Sequence, residues 1–274
     1  MALTDDPVAL DAWYAVATLG DPPSRTRLLG EDLLIEADRV RRATDGAPLP
    51  VLARFGCLWT SFGTRPRPMF AIPEADEPDR RMVVCGWVRM RSSAPRVVEN
   101  FLDMAHFPYV HTGILGAEPT TDVPAYQAEI RRETDEVWAT NCRFFQPQMT
   151  ASTPGDFVQL TYRVPLPHVV MLYRVSPHDP ARQDVIALFI QPIEEDLVRA
   201  QPLMWLVDPV SSHEDLLRFE QVIYLQDRII VENQRPLRLP LDPRAEIPMR
   251  ADAASLAYRA WLREKGLRFG CLPA

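Results

Sequence analysis

Asn100, Asp103, His106 and His111 fall within one short stretch, NFLDMAHFPYVH, which holds two of the chain's five histidines. Two imidazoles with a carboxylate just before them are side chains suited to a transition metal, since imidazole binds iron, zinc or copper. A ligating histidine usually donates its other N–H to a carboxylate, and Asp103 would do this for His106. In a helix, Asn100, Asp103 and His106 follow one slowly drifting stripe. His111 sits roughly 140° from His106 on such a helix and cannot continue the stripe. Pro108 disfavours helix at the residues before it, so a turn near Phe107 is expected to bring His111 back beside His106. A bare H-x4-H is weak, and its plainer reading is two histidines satisfied by hydrogen bonds in a core. The asparagine, the aspartate and the proline break favour the metal.

A third ligand must come from elsewhere. The segment FEQVIYLQDRIIVENQRP reads as a helix. With Phe219 at zero on its wheel, Phe219, Val222, Ile223 and Ile230 cluster within roughly 60°, and Asp227 lies near 80°, at the edge of that apolar face. A buried carboxylate needs a partner. An arginine from the sheet would serve, and so would a cation; Glu220, near 100°, is the local rival as ligand. His106, His111 and Asp227 together would form a two-histidine, one-carboxylate triad with open positions, which favours Fe(II) and oxygen activation. Zinc hydrolases use similar donors, so the triad leaves the metal open.

These residues need elements to hold them. The chain has 274 residues, 47% of them hydrophobic, enough for one large domain with a smaller N-terminal piece. Its 27 prolines divide it into short segments, as in a sheet-rich fold. AWYAVATLG and LLGEDLLIEAD predict short strands, and VLARFGCLWTSFG predicts one more. In FVQLTYRV, Val158, Leu160, Tyr162 and Val164 alternate with Gln159, Thr161 and Arg163. With VWATNCRFF, HVVMLYRV, DVIALFIQPI and LVRAQPLMWLV, this predicts an antiparallel sheet of six or more strands. Helices are expected from about Ala94 towards His106, from Ser212 to the residue before Pro236 with Asp215 completing a capping box, and from about Asp252 to Gly266. The fold class is α+β, a large antiparallel sheet with helices on one face.

A net charge of −7 argues against nucleic acid or an anionic membrane as partner. The opening MALTDDPVAL has no basic region followed by an apolar run, and no stretch is long enough to cross a bilayer. Cys57, Cys85, Cys142 and Cys271 have no CxxC spacing, which predicts free thiols in a reducing cytoplasm.

The stretch VVENFLDMAHFPYVHTGILG resembles the iron-binding segment of Rieske-type non-haem iron oxygenases, in their terminal-oxygenase subunit. The family pattern N-x-x-D-x-x-H-x4-H is matched by Asn100, Asp103, His106 and His111. QDRIIVENQ is similar to the family's later helix, which assigns the carboxylate ligand to Asp227. The resemblance implies a helix-grip catalytic domain over residues 66–274, a sheet packed on a long C-terminal helix. WYAVATLG, RTRLLGEDLLIEAD and LARFGCLWTSFG resemble the strands of a Rieske domain, yet RVRRATDGAPLP between them has neither Cys nor His. Residues 1–65 therefore resemble a truncated Rieske remnant without ligands for a [2Fe–2S] cluster.

The family's oxygenases take electrons one at a time from a nearby cluster, with the aspartate at Asp103 bridging the two metal sites. The resemblance then implies a separate Rieske- or ferredoxin-containing reductase fed by NAD(P)H, mononuclear Fe(II) in this chain, and a homo- or hetero-oligomer of trimeric type. It is similar to the family's cluster-free branch, which N-demethylates methylxanthines such as 7-methylxanthine with O2 and releases formaldehyde. O-demethylation or ring hydroxylation of another aromatic is the alternative within the class, and a non-catalytic carrier of hydrophobic ligands lies outside it. Asn141, Gln146 and His168 are candidate contacts to a polar ring, each equally readable as an ordinary strand residue.

Overall fold

The computed structural model describes residue 2, residues 4–64 and residues 66–273. Eight strands form one antiparallel sheet. Its order is Arg81–Val84, Leu197–Leu206, Gln183–Glu194, Val169–Val175, Pro154–Leu166, Glu136–Gln148 and Gln127–Arg131, with Val88–Met90 also paired to Leu197–Leu206. The alternation in FVQLTYRV sets the faces as expected: Val158, Leu160, Tyr162 and Val164 are buried and Gln159 is exposed.

The continuous apolar run of Gln183–Glu194 has a different cause. Both faces of this strand are covered. Leu188 and Ile190 pack in a cluster with Val97, Val98, Tyr224 and Tyr258 of the helices. Val185, Ala187 and Phe189 pack with Trp13, Trp59 and Phe70 from the N-terminal part. The Trp59 and Phe189 rings meet edge-on at 4.7 Å. Truncating such a buried ring to alanine costs about 3–5 kcal/mol.

The N-terminal part forms two three-stranded sheets. One orders Tyr14–Thr18, Cys57–Thr60 and Val51–Arg54; the other orders Ser24–Leu28, Glu31–Glu36 and Arg39–Arg42. VLARFGCLWTSFG is therefore a hairpin and not one strand. Phe55 and Gly56 carry φ of 53° and 71°, and two left-handed residues make the tight turn that matches strand twist.

The first long helix, Ala94–Leu102, starts at Ser93, whose hydroxyl accepts from the Arg96 N–H. It stops before Asp103, short of the expected end near His106. Asp103 is extended, and its carboxylate accepts the Ala105 N–H at 2.8 Å, a local bond that competes with the helix. Pro108 then opens a single helical turn, Phe107–Val110, where its missing N–H costs nothing. The chain therefore bends ahead of Phe107, earlier than proline placement alone suggests.

The second helix, His213–Val231, is capped by Ser212, which accepts from the Asp215 N–H at 3.1 Å. Asp215 completes the cap through its carboxylate, which accepts the Ser212 hydroxyl at 2.6 Å. This helix ends before Glu232, earlier than the expected end at Pro236. The third helix, Ala253–Lys265, closes on Gly266 at φ 75°. Buried Arg96 and Glu99, paired at 2.9 Å, join Arg259 and Glu246 to tie the first helix to the third. Among the described residues, no helix is long and apolar enough to cross a membrane.

Candidate metal centre

The two histidines converge despite the earlier bend. His106 Nε2 lies 3.2 Å from His111 Nε2. One oxygen of Asp227 completes the group, 3.2 Å from His106 Nε2 and 3.1 Å from His111 Nε2. Among the described residues, no arginine pairs with Asp227. Its neighbour of the other kind is Asn100, whose side-chain amide donates to the same oxygen at 3.0 Å. Glu220, the rival on the wheel, stands outside the cluster: among the described residues, His106, His111 and Asp227 are the group able to share an ion.

The helix wheel misplaced the buried face. Leu216, Glu220, Ile223, Tyr224 and Val231 are the buried positions of His213–Val231, while Val222, Ile229 and Ile230 are exposed. Asp227 lies amid the buried face, not at its edge. Counting hydrophobic residues chose the wrong centre because this face carries two carboxylates and a tyrosine.

The far nitrogens of both rings are held. His106 Nδ1 faces Asp103 Oδ2 at 3.1 Å, as its spacing predicts. His111 Nδ1 faces Gln226 Oε1 at 2.8 Å, a partner that the sequence reading missed. Nothing in its periodicity marks Gln226; only its position beside Asp227 hints at it. With each Nδ1–H donated outward, both Nε2 lone pairs and a carboxylate oxygen point at one spot. Apart from Asn100, which donates to the carboxylate, these three atoms face one another as acceptors and call for a cation. Burial favours a neutral His106, but its hydrogen bonds to the Asp103 and Asp227 carboxylates outweigh it and raise the imidazole to about 9. Burial likewise opposes the Asp227 charge, yet the two imidazoles hold its carboxyl down at about 2. The donor set therefore fits a divalent transition metal, with ligand types that match the facial triad of non-haem iron.

Two cavities flank the cluster. The inner one, about 70 Å³, is lined by Gln146, Tyr162, Arg174, Phe219 and Glu220 together with the three donors. Ligand sites usually hold roughly 300 Å³ or more, so a ring must displace half-buried walls such as Phe101, Leu115 or Phe219. The outer one is an open cleft of about 480 Å³ that reaches Asp103 and Asn100 and is edged by Arg235, Glu246 and Ile247. Of the three ring-contact candidates, only Gln146 lines the inner cavity. Asn141 sits on a bulge at φ 58° and bonds Gln127 at the surface, and His168 is buried against Tyr14.

A curved antiparallel sheet holding a long helix, with two imidazoles and a carboxylate beneath it, describes the mononuclear non-haem iron class. Comparison with known proteins agrees. Residues 90–268 match the vanillate O-demethylase oxygenase C-terminal domain family. A protein of Pseudomonas sp. (strain TJI-51) described as a probable methylxanthine N7-demethylase, NdmC, is 44% identical over 95% of this chain and 96% of its own length. The methylxanthine N1-demethylase NdmA of Pseudomonas putida is 25% identical over 77% of this chain, which spans 58% of that longer protein. Its structure with caffeine superposes at a TM-score of 0.74 and 17% identity, covering 93% of this chain and 91% of the other. The chain belongs to the vanillate O-demethylase oxygenase family of Rieske-type non-haem iron oxygenases, and is thus an oxidoreductase. Non-haem iron is implied by that family.

Proposed function

We propose that this chain is the catalytic component of an oxygenase system that N-demethylates a methylxanthine such as 7-methylxanthine. The observation that carries the reading is the convergence of His106, His111 and Asp227 on one spot. The substrate class follows from the 44% identical relative, whose description names it. Fe(II) held by these three side chains would supply oxygen activation and insertion into a methyl C–H bond. The resulting N-hydroxymethyl group loses formaldehyde and leaves an N–H.

The chain's own residues then have defined tasks. Asp103 and Gln226 fix the ring tautomers so that both Nε2 atoms face inward. Asn100 orients the Asp227 carboxylate. Phe101, Phe107 and Ile223 keep bulk water from the reacting face.

Asp103 touches His106 on one side and the open cleft on the other. In this reading a separate reductase with a Rieske or ferredoxin cluster docks at that cleft, where Ile247 is 90% exposed, and delivers electrons drawn from NAD(P)H. Residues 1–65 are read as a Rieske-domain remnant that keeps its strands without cluster ligands, and residues 66–274 as the catalytic domain. The chain works in the cytoplasm, where its four buried cysteines stay as thiols. O-demethylation is the second reading, favoured by the family match over residues 90–268.

The deciding experiment reconstitutes the chain anaerobically with Fe(II) and offers a methylxanthine panel with NADH, with and without a Rieske-type reductase. Formaldehyde equal to product formed, and only with the reductase present, is expected. No demethylation of any methylxanthine, under conditions where methoxybenzoates lose formaldehyde, would move the assignment to O-demethylation. Turnover without any added redox protein would refute the partner.

A further inference from the structure

Glu220 has no role in the centre described above, yet it is 8% exposed and lines the inner cavity. Among the described residues it makes no hydrogen bond and no ion pair. Two more polar groups in the same wall are fully buried without a partner, Gln146 Oε1 and the Tyr162 hydroxyl. A native interior rarely leaves such groups idle, because each costs about 1–3 kcal/mol. Two such groups and a carboxyl without a hydrogen bond, in one small cavity beside the candidate centre, point to a ligand that completes them.

Helix geometry sets the spacing. Glu220 precedes Asp227 by seven residues, two turns on the same face, so the carboxyl stands roughly 10 Å along the helix from the ligand position. That is about the reach of a fused two-ring heterocycle with its methyl at the centre and its far edge at Glu220. A carboxylate accepts from an N–H, and Gln146 Oε1, the unmatched atom, can accept from a second one. Together they match a ring edge that presents lactam N–H groups.

We propose that Glu220, supported by Gln146, reads an unmethylated lactam N–H at the end of the substrate farthest from the methyl group to be removed. Glu220 is thus a specificity-determining residue that selects rings free of N-methylation at that edge. This rests on the N-demethylase reading. A methyl group at the same nitrogen removes the donor and leaves the carboxyl unpaired, which sites built around a hydrogen bond reject strongly.

The test is anaerobic calorimetric titration of the Fe(II)-loaded chain, without reductase, with 7-methylxanthine and with caffeine. Caffeine carries the same imidazole-ring methyl but no ring N–H. Wild-type protein is expected to bind 7-methylxanthine about 10- to 100-fold more tightly. Glu220→Leu should bring the two Kd values within about threefold while melting at the same temperature or higher, because an unpaired buried carboxyl opposes folding. Equal Kd values in the wild type would overturn the inference and leave the N-demethylase reading standing. So would an unchanged preference in Glu220→Leu, or a lower melting temperature, which would mark Glu220 as structural. Wild-type protein that binds neither compound would overturn the substrate class and this inference together.

Discussion

The chain buries two histidines to the same degree and in opposite surroundings. His111 and His168 are each 1% exposed. His111 has Gln226 on one nitrogen, and His106 and Asp227 on the other. His168 has neither nitrogen matched among the described residues, and lies beside the Tyr14 ring at 5.1 Å. Burial pushes the His168 imidazole down to about 4, whereas in the cluster the carboxylates outweigh burial and raise His106 to about 9. Burial alone therefore says little about a histidine's task. What separates the two regions is a carboxylate within reach and an anchor on the far nitrogen.

The largest expected effects come from removing what makes the first region different. His106→Ala or Asp227→Ala leaves two donors, and iron content after anaerobic loading and desalting, read by elemental analysis, should fall from near one per chain to background. Iron retained at full stoichiometry in Asp227→Ala would place the site elsewhere. The anchors come next. Gln226→Leu frees the His111 ring and should weaken Fe(II) binding about 10- to 100-fold. Asp103→Ala loosens His106 in the same way, and in the proposed system it also interrupts electron delivery. Single-turnover product formation with the chemically reduced reductase should then slow far more than iron occupancy explains. Iron-normalised rates equal to wild type would remove Asp103 from the electron path.

The contrast also shows what the sequence could convey. The His106–His111–Asp103 group was legible because its members are close in the chain, and one bend is enough to gather them. The bend itself was misplaced, since Asp103 ends the helix through a bond to Ala105 that no periodicity announces. The wheel left Asp227 open against an arginine pair and Glu220, and the family resemblance of QDRIIVENQ singled it out; the apolar face was turned wrongly, since Val222 and Ile230 look like core residues and point outward. Gln226 stayed hidden, because the role of an amide depends on a ring more than a hundred positions earlier. The strands of the large sheet were clear from alternation. The Phe55-Gly56 hairpin was not, because a phenylalanine at positive φ gives no turn signal.

The smallest expected effect tests the second region. His168 titrates at about 4 in the folded chain, against an ordinary value of 6.5. Protons therefore bind the unfolded state more readily, and this histidine's contribution to stability is intact above pH 6.5 and fades as pH falls towards 4. Between pH 7 and pH 5 the loss from this one group amounts to about 2 kcal/mol. His168→Phe, which keeps a ring against Tyr14, should remove that part of the acid sensitivity. Urea unfolding of both proteins at pH 7 and pH 5 measures it, since the carboxylates contribute equally to each. Identical losses would mean that His168 keeps a near-normal pKa inside the fold. The comparison between the regions would then rest on the neighbouring carboxylates and the anchored far nitrogen alone.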